Sequence, residues 1–140
     1  MNSTSIQPSL TFVLALSRLH VIMSRKGFLS LGYSDFVILH YLAHAPEEKM
    51  RRIDLADRVG LTASGITRML LPMEKIGLVE RETHPTDARV SFVVLAKGGK
   101  RLYAESLESV ELMAENITEG ISVKELRLLE AVLRNAGDRL

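Results

Sequence analysis

The stretch "LADRVGLTASGITRM", residues 55–69, decides the fold. Two helices that meet across a tight turn impose steric demands, and each is met here. Ala56 supplies the small residue where the first helix touches the second. Gly60, four positions on, tolerates the positive φ that the turn requires. Ile66, six further on, is the branched apolar wedge, and Leu55, Val59, Leu61 and Met69 complete a small core. The first helix spans "IDLADRV", residues 53–59. The second, "ASGITRMLLPMEKI", is capped by Thr62 and closed by Gly77. Pro72 falls inside it and removes the bond to the Arg68 carbonyl. A kink is therefore expected near residue 71, dividing a reading half, 63–70, from a packing half, 73–76.

Upstream, residues 9–25 carry Phe12, Leu16, Leu19 and Met23 at spacings of 4, 3 and 4, the pattern of an apolar-faced helix. "KGFLSLGYS" breaks it. Ser34 is expected to cap the next helix, "DFVILHYLAHA", which Pro46 stops. That segment is apolar nearly all round and belongs at the centre of the core. "EEKMR" follows as a connector with the character of one short strand. Downstream, "GLVERE" and "VSFVVLA" read as the two strands of a hairpin, the second alternating Val90, Phe92 and Val94 with Ser91 and Val93. The tail is helical, with Tyr103, Leu107, Val110, Ala114, Ile117 and Ile121 forming one stripe and Leu126, Leu129, Leu133, Ala136 and Leu140 another. A hairpin directly after a helix–turn–helix is a wing. The expected class is mainly α, with α+β character: a winged helix–turn–helix lobe at 34–96, and N- and C-terminal helical dimerisation segments at 6–26 and 100–140 of a single 140-residue chain.

Composition narrows the function. With 46% apolar and 25% charged residues the chain is globular. No run of eighteen apolar residues predicts a membrane span. The start, "MNSTSIQPSL", lacks the features of a signal peptide, so a cytoplasmic protein without a membrane partner is expected. The absence of cysteine excludes a disulfide framework, a cysteine-ligated zinc site and a thiol redox switch. The net charge of +1 hides a division. Residues 51–101 hold ten Lys/Arg against six Asp/Glu, which is +4, whereas residues 102–140 hold four against eight, which is −4. A basic middle and an acidic tail point the middle at a polyanion.

The second helix of the pair presents Ala63, Ser64, Gly65, Thr67 and Arg68 on its N-terminal and outer side. Small and hydroxyl-bearing residues let a helix end enter the major groove, and arginine bonds either a guanine edge or a phosphate. Gly65 serves as a contact or only to allow close approach. The hairpin tip, "HPTDARVSF" at residues 84–92, carries Asp87 and Arg89 two residues apart. On an extended chain the two point to one side, so the carboxylate holds the guanidinium by paired hydrogen bonds. A narrow, negative minor groove attracts such an arginine.

The stretch "DLADRVGLTASGITRMLLPMEKIGLVERETHPTDARVSFVVLAKGGKRL" resembles the MarR family of bacterial transcription regulators. The resemblance implies a homodimeric winged helix–turn–helix protein on a pseudo-palindromic double-stranded operator, with Arg89 in the minor groove and Asp87 orienting it. Two departures stand out. The wing reads "DAR", with Ala88 where the family usually has arginine, so one phosphate contact is missing. The usual "LT..G" is "LAKGG", so Ala96 cannot cap the next helix as threonine would, and Gly98 and Gly99 follow it. Redox-sensing members use a cysteine near the N-terminus, and this chain has none.

The terminal helices are too apolar and regular to be left exposed, and a symmetry mate would bury them and set two recognition helices roughly 34 Å apart. Proteins resembling this family often bind small aromatic or phenolic acids between the dimer helices and the DNA-binding lobe. His20, Met23, Phe28, Tyr33, Phe36 and His40 are the candidate lining residues, with ordinary core roles as the alternative. His40 and His44 have a spacing that can share a metal, with His20, Glu47 or Glu48 as third ligand, but no metal or other cofactor is expected. No catalytic constellation is present, and an enzyme is not expected. The reading is a DNA-binding transcription regulator, a repressor relieved by an effector. Its competitor is a winged-helix module that binds another protein.

Overall fold

The computed structural model describes residues 7–28 and 31–140. Ile6, the first residue of the expected N-terminal dimerisation segment, lies outside them. The chain divides into two compact units, one ending at Ser106 and one from Leu107 to Leu140.

The first unit opens with helix α1 (Pro8–Arg25), whose proline stands at the helix start, where its missing N–H costs nothing. The segment read only as a break folds into a two-stranded ribbon, β1 (Gly27–Phe28) against β2 (Leu31–Gly32), with Phe28 opposite Leu31. Helix α2 (Tyr33–Ala43) follows. Its N-cap is Gly32 and not the expected Ser34, which lies inside the helix. The physical reason is Asp35, whose carboxylate takes the Gly32 backbone N–H and so draws the helix start two residues toward the N-terminus. Ile38, Leu39 and Leu42 on α2 are fully buried, as an all-round apolar helix requires.

A single tight turn at Pro46–Glu48 leads into β3 (Lys49–Arg51). Glu47 and Glu48 both adopt the left-handed conformation there, with φ of 58° and 54°. Helices α3 (Arg52–Val59) and α4 (Ala63–Lys75) form the helix–turn–helix. Strands β4 (Val79–Thr83) and β5 (Ser91–Leu95) form the wing. The sheet order is β3-β5-β4, antiparallel throughout, so β5 is central. Arg51 pairs with Phe92 on one side of β5, and Glu82 pairs with the same residue on the other.

Helix α5 (Lys97–Ile117) starts against the turn between α4 and β4. The Ala96 N–H bonds the Leu78 carbonyl at 3.1 Å, and a Cβ on Gly98 would stand 2.8 Å from the Gly77 carbonyl oxygen. A Cβ on Gly99 would be driven into the Leu78 carbonyl oxygen itself. The unusual "GG" is thus the condition for this close approach.

In the second unit, α5 runs on to Ile117, and Gly120 turns the chain with φ of 80°. Helix α6 (Val123–Gly137) is capped by Ser122, whose hydroxyl accepts the Glu125 N–H at 3.2 Å and donates to the Glu125 carboxylate at 2.9 Å. No residue of α6 is buried.

Candidate nucleic-acid interface

The turn between α3 and α4 is built as its sequence demands. Gly60 sits at φ 80°, which lets the Leu61 N–H reach the Ala56 carbonyl at 2.9 Å. Ala56 is buried, and Ile66 is fully buried from the α4 side. Thr62 caps α4 by accepting the Gly65 N–H at 3.1 Å, and its hydroxyl lies 3.3 Å from that of Ser64. A Cβ on Gly65 would stand 3.2 Å from the Thr62 hydroxyl oxygen, so this glycine gives the cap its room. Ala63, Ser64 and Arg68 are exposed, and Arg68 has no hydrogen bond or ion pair among the described residues.

Thr67 is half-buried, and its hydroxyl is already engaged. It donates to the Ala63 carbonyl at 3.0 Å and accepts from Arg52 Nη1 at 2.9 Å. What it presents outward is a methyl group and one lone pair. Arg52, at the start of α3, was not legible as a site residue. Its Nη2 lies 3.6 Å from the Glu74 carboxylate, and Arg81 of β4 approaches the same oxygen at 3.9 Å. Burial pulls the Arg52 pKa below its usual value, the neighbouring Arg81 adds to that, and Glu74 opposes it. One carboxylate therefore serves two guanidiniums and ties α3, α4 and β4 together.

Helix α4 runs from Ala63 to Lys75 with Pro72 inside it. Leu70 and Met73, on either side of it, are both buried in the core and anchor the helix across the proline. Beyond it the Ile76 N–H still reaches the Pro72 carbonyl at 3.2 Å.

At the wing tip Asp87 and Arg89 meet. Arg89 Nε donates to Asp87 Oδ1 at 3.1 Å and Nη2 to Oδ2 at 3.4 Å, while the Arg89 backbone N–H also reaches Oδ1 at 3.0 Å. These bonds hold the Asp87 carboxyl below its usual pKa. The Arg89 side chain is 90% exposed, so the carboxylate aims it without covering it. Ala88, between them, is exposed and offers no polar atom. Beneath the tip, His84 stacks on Phe92 with ring centroids 6.3 Å apart, and Lys49 lies over the Phe92 ring at 5.3 Å.

Comparison with known proteins agrees with this architecture. The sequence model of the MarR family matches residues 31–91, the stretch from β2 to the first residue of β5. The uncharacterised HTH-type transcriptional regulator YdgJ of Bacillus subtilis is 30% identical over 103 residues, which cover 74% of this chain. Over residues 31–91 the chain is similar to the MarR family. It spans 62% of the length of YdgJ. Two solved structures from Streptomyces coelicolor match nearly all of it. A MarR family transcriptional regulator in complex with DNA superposes with a TM-score of 0.82 at 19% identity, covering 100% of this chain and 93% of that one. The PcaV transcriptional regulator in complex with its natural ligand gives 0.80 at 18%, covering 99% and 96%. At these identities the likeness is one of fold.

The six residues expected to line an effector site are distributed over α1, β1 and α2. A cavity is lined by Ser17, Arg18, Val21, Ile22 and Arg25, all on α1. His20 is exposed and Met23 half-buried on α1. Phe28 and Tyr33 form a ring pair at 6.4 Å. Phe36 and His40 do converge, on Tyr103, which the sequence showed only as one member of an apolar stripe. Phe36 stacks on the Tyr103 ring at 5.2 Å, and His40 Nδ1 shares a 2.9 Å hydrogen bond with the Tyr103 hydroxyl. Burial, and then His44, push the His40 pKa below its ordinary value. His44 Nδ1 donates to the His40 carbonyl at 2.9 Å, and no group of three metal-binding side chains is found among the described residues.

Proposed function

We propose that this chain is a sequence-specific double-stranded DNA-binding regulator of transcription, acting as a homodimer on a pseudo-palindromic operator. The observation that carries the reading is Arg89, exposed at the wing tip and aimed by the Asp87 carboxylate. A guanidinium held in one direction and open to solvent is prepared for the narrow, negative minor groove. Helix α4 supplies the second element. Its capped N-terminus carries Ala63, Ser64 and Gly65, with Thr67 and Arg68 one turn on, the composition that fits a major groove. The DNA-bound regulator of the same fold supports this arrangement.

The dimer rests on exposed apolar surface. Helix α1 buries no residue and exposes Leu10, Phe12, Val13, Leu14 and Val21, while α6 exposes Leu128, Leu129, Val132 and Leu133. Apolar faces of this extent are covered in a stable protein, and a second copy of the chain covers them symmetrically. We further infer repression by occlusion of a promoter in the cytoplasm, relieved by a small aromatic or phenolic acid near Phe36, His40 and Tyr103. The ligand-bound PcaV structure supports an effector in this fold. Such a ligand acts only through a difference in affinity between DNA-competent and incompetent states. No part of this reading calls for a cofactor or a catalytic step.

The test is a selection of genomic fragments by purified protein at low and near-physiological salt. A two-fold motif of about 16–20 base pairs that survives the higher salt is expected. Arg89→Ala should weaken binding broadly and erode A·T preference at the site edges. Arg68→Ala should relax base preference by roughly 1–3 kcal/mol. Sequence-blind binding that vanishes at higher salt, or variants that bind as the parent does, would overturn the reading in favour of a protein-binding winged helix.

A further inference from the structure

We propose that His84 is the positioning residue of the wing tip, acting through Asp87 to set the direction in which Arg89 reaches DNA. The inference rests on the DNA-binding reading above and adds a residue that the resemblance does not supply. His84 opens the turn after β4. Its Nδ1 accepts the backbone N–H groups of Thr86 and Asp87, each at 3.2 Å, and lies 3.2 Å from the Thr86 hydroxyl. The Asp87 carbonyl in turn accepts the Val90 N–H at 3.1 Å, and the His84 N–H closes the turn onto the Val90 carbonyl at 3.1 Å. The Asp87 backbone is thus fixed from both sides, and with it the carboxylate that aims Arg89.

The device resembles the turn in which an Asp or Asn oxygen accepts the N–H two residues on, here built from a ring nitrogen. The ring adds what a short side chain lacks, a stack on Phe92 at 6.3 Å and 23°. Phe92 pairs with Arg51 and Glu82 in the sheet, so the tip is referred back to the framework through His84. Because Nδ1 accepts, the ring proton of the neutral imidazole sits on Nε2. Without the imidazole, the N–H groups of Thr86 and Asp87 would turn to water. The Asp87–Arg89 pair would then sample many directions and be ordered only on binding, at a cost in affinity.

The experiment measures Kd for the strongest duplex recovered in the genomic selection, with parent, His84→Ala, His84→Asn, Arg89→Ala and the His84→Ala/Arg89→Ala double variant. His84→Ala should bind roughly tenfold more weakly, within the range of one lost contact, and lose A·T preference at the site edges. His84→Asn should stay near the parent, because its side-chain oxygen accepts the same N–H groups. The double variant should bind no more weakly than Arg89→Ala alone, because His84 acts through that arginine. Parental affinity in His84→Ala, equal weakness in His84→Asn and His84→Ala, or a full further loss in the double variant would each overturn the proposal. If Arg89→Ala weakens binding and His84→Ala does not, only this inference fails. If the parent recovers no specific duplex, the DNA-binding reading fails first.

Discussion

Gly99→Ala isolates the contact on which the start of α5 depends. The added methyl would be driven into the Leu78 carbonyl oxygen and would stand 2.9 Å from Leu95 Cδ1. The leucine methyl can rotate away, but the carbonyl cannot move freely, because it accepts the Ala96 N–H at 3.1 Å. Overpacking against a fixed group costs roughly 1–3 kcal/mol. Loss of the Ala96 bond adds about 1 kcal/mol. Replacing glycine by alanine in a helix returns about 1 kcal/mol. The net is a destabilisation of about 1–3 kcal/mol, toward the upper end because the obstacle is backbone. Urea unfolding followed by far-ultraviolet circular dichroism measures it, at fixed protein concentration because a dimer's stability depends on it. With a urea m-value of about 2 kcal/mol/M the midpoint should fall by about 1 M. Gly98→Ala, with its contact at 2.8 Å, should fall less. Gly137→Ala, with nothing within 4 Å of the new Cβ, should be neutral or slightly stabilising. A Gly99→Ala protein as stable as the parent, beside a Gly137→Ala protein that behaves as stated, would refute the reasoning.

Three further outcomes are expected. Thr67→Val leaves the half-buried Arg52 cation without its hydroxyl partner and should cost about 1–3 kcal/mol, whereas Arg52→Met/Thr67→Val should recover most of it; a double-mutant cycle in urea reads the coupling. The His40 pKa is lowered in the fold, so its contribution to stability is complete above the ordinary value of 6.5 and is lost as pH falls through 6.5 toward the folded value; His40→Gln should flatten that dependence in denaturation measured across the window. Val132→Glu, on the exposed apolar face of α6, should convert the proposed homodimer to monomer in sedimentation equilibrium, with far-ultraviolet circular dichroism reporting the helices that remain.

Much of the framework was legible because its signals are local. Periodicity gave α1 and the two tail helices, an apolar run stopped by Pro46 gave α2, and steric demands within fifteen residues gave the helix–turn–helix with Gly60 and Thr62 in their places. The Asp87–Arg89 pair was legible from its spacing, but not its geometry: the two meet across a turn, in which the Asp87 carbonyl accepts the Val90 N–H at 3.1 Å, and not on the extended chain expected. What escaped depends on distance or on weak local signals. The ribbon of Phe28 and Leu31 is too short to alternate. Glutamate carries no preference for the left-handed region, yet Glu47 and Glu48 both occupy it. Ser34 was a sound cap in isolation, and Asp35 moved the helix start by reaching back to Gly32. The Arg52–Glu74–Arg81 group joins three elements, and Tyr103 meets His40 across 63 positions, so neither could be seen in a window. Thr67 was legible as an outward hydroxyl, but not that Arg52 and Ala63 already hold it.

The sheet order β3-β5-β4 carries one more consequence. Strand β3 ends at Arg51 and the helix–turn–helix begins at Arg52, so the central strand of the wing is bonded directly to the segment that enters α3. Three residue pairs join β3 to β5 and five join β4 to β5, and all eight lie below the tip. The tip, residues 84–90, is therefore an exchangeable cassette on a fixed chassis. Its sequence can diverge between related chains, or be swapped by design, while α4 keeps its place.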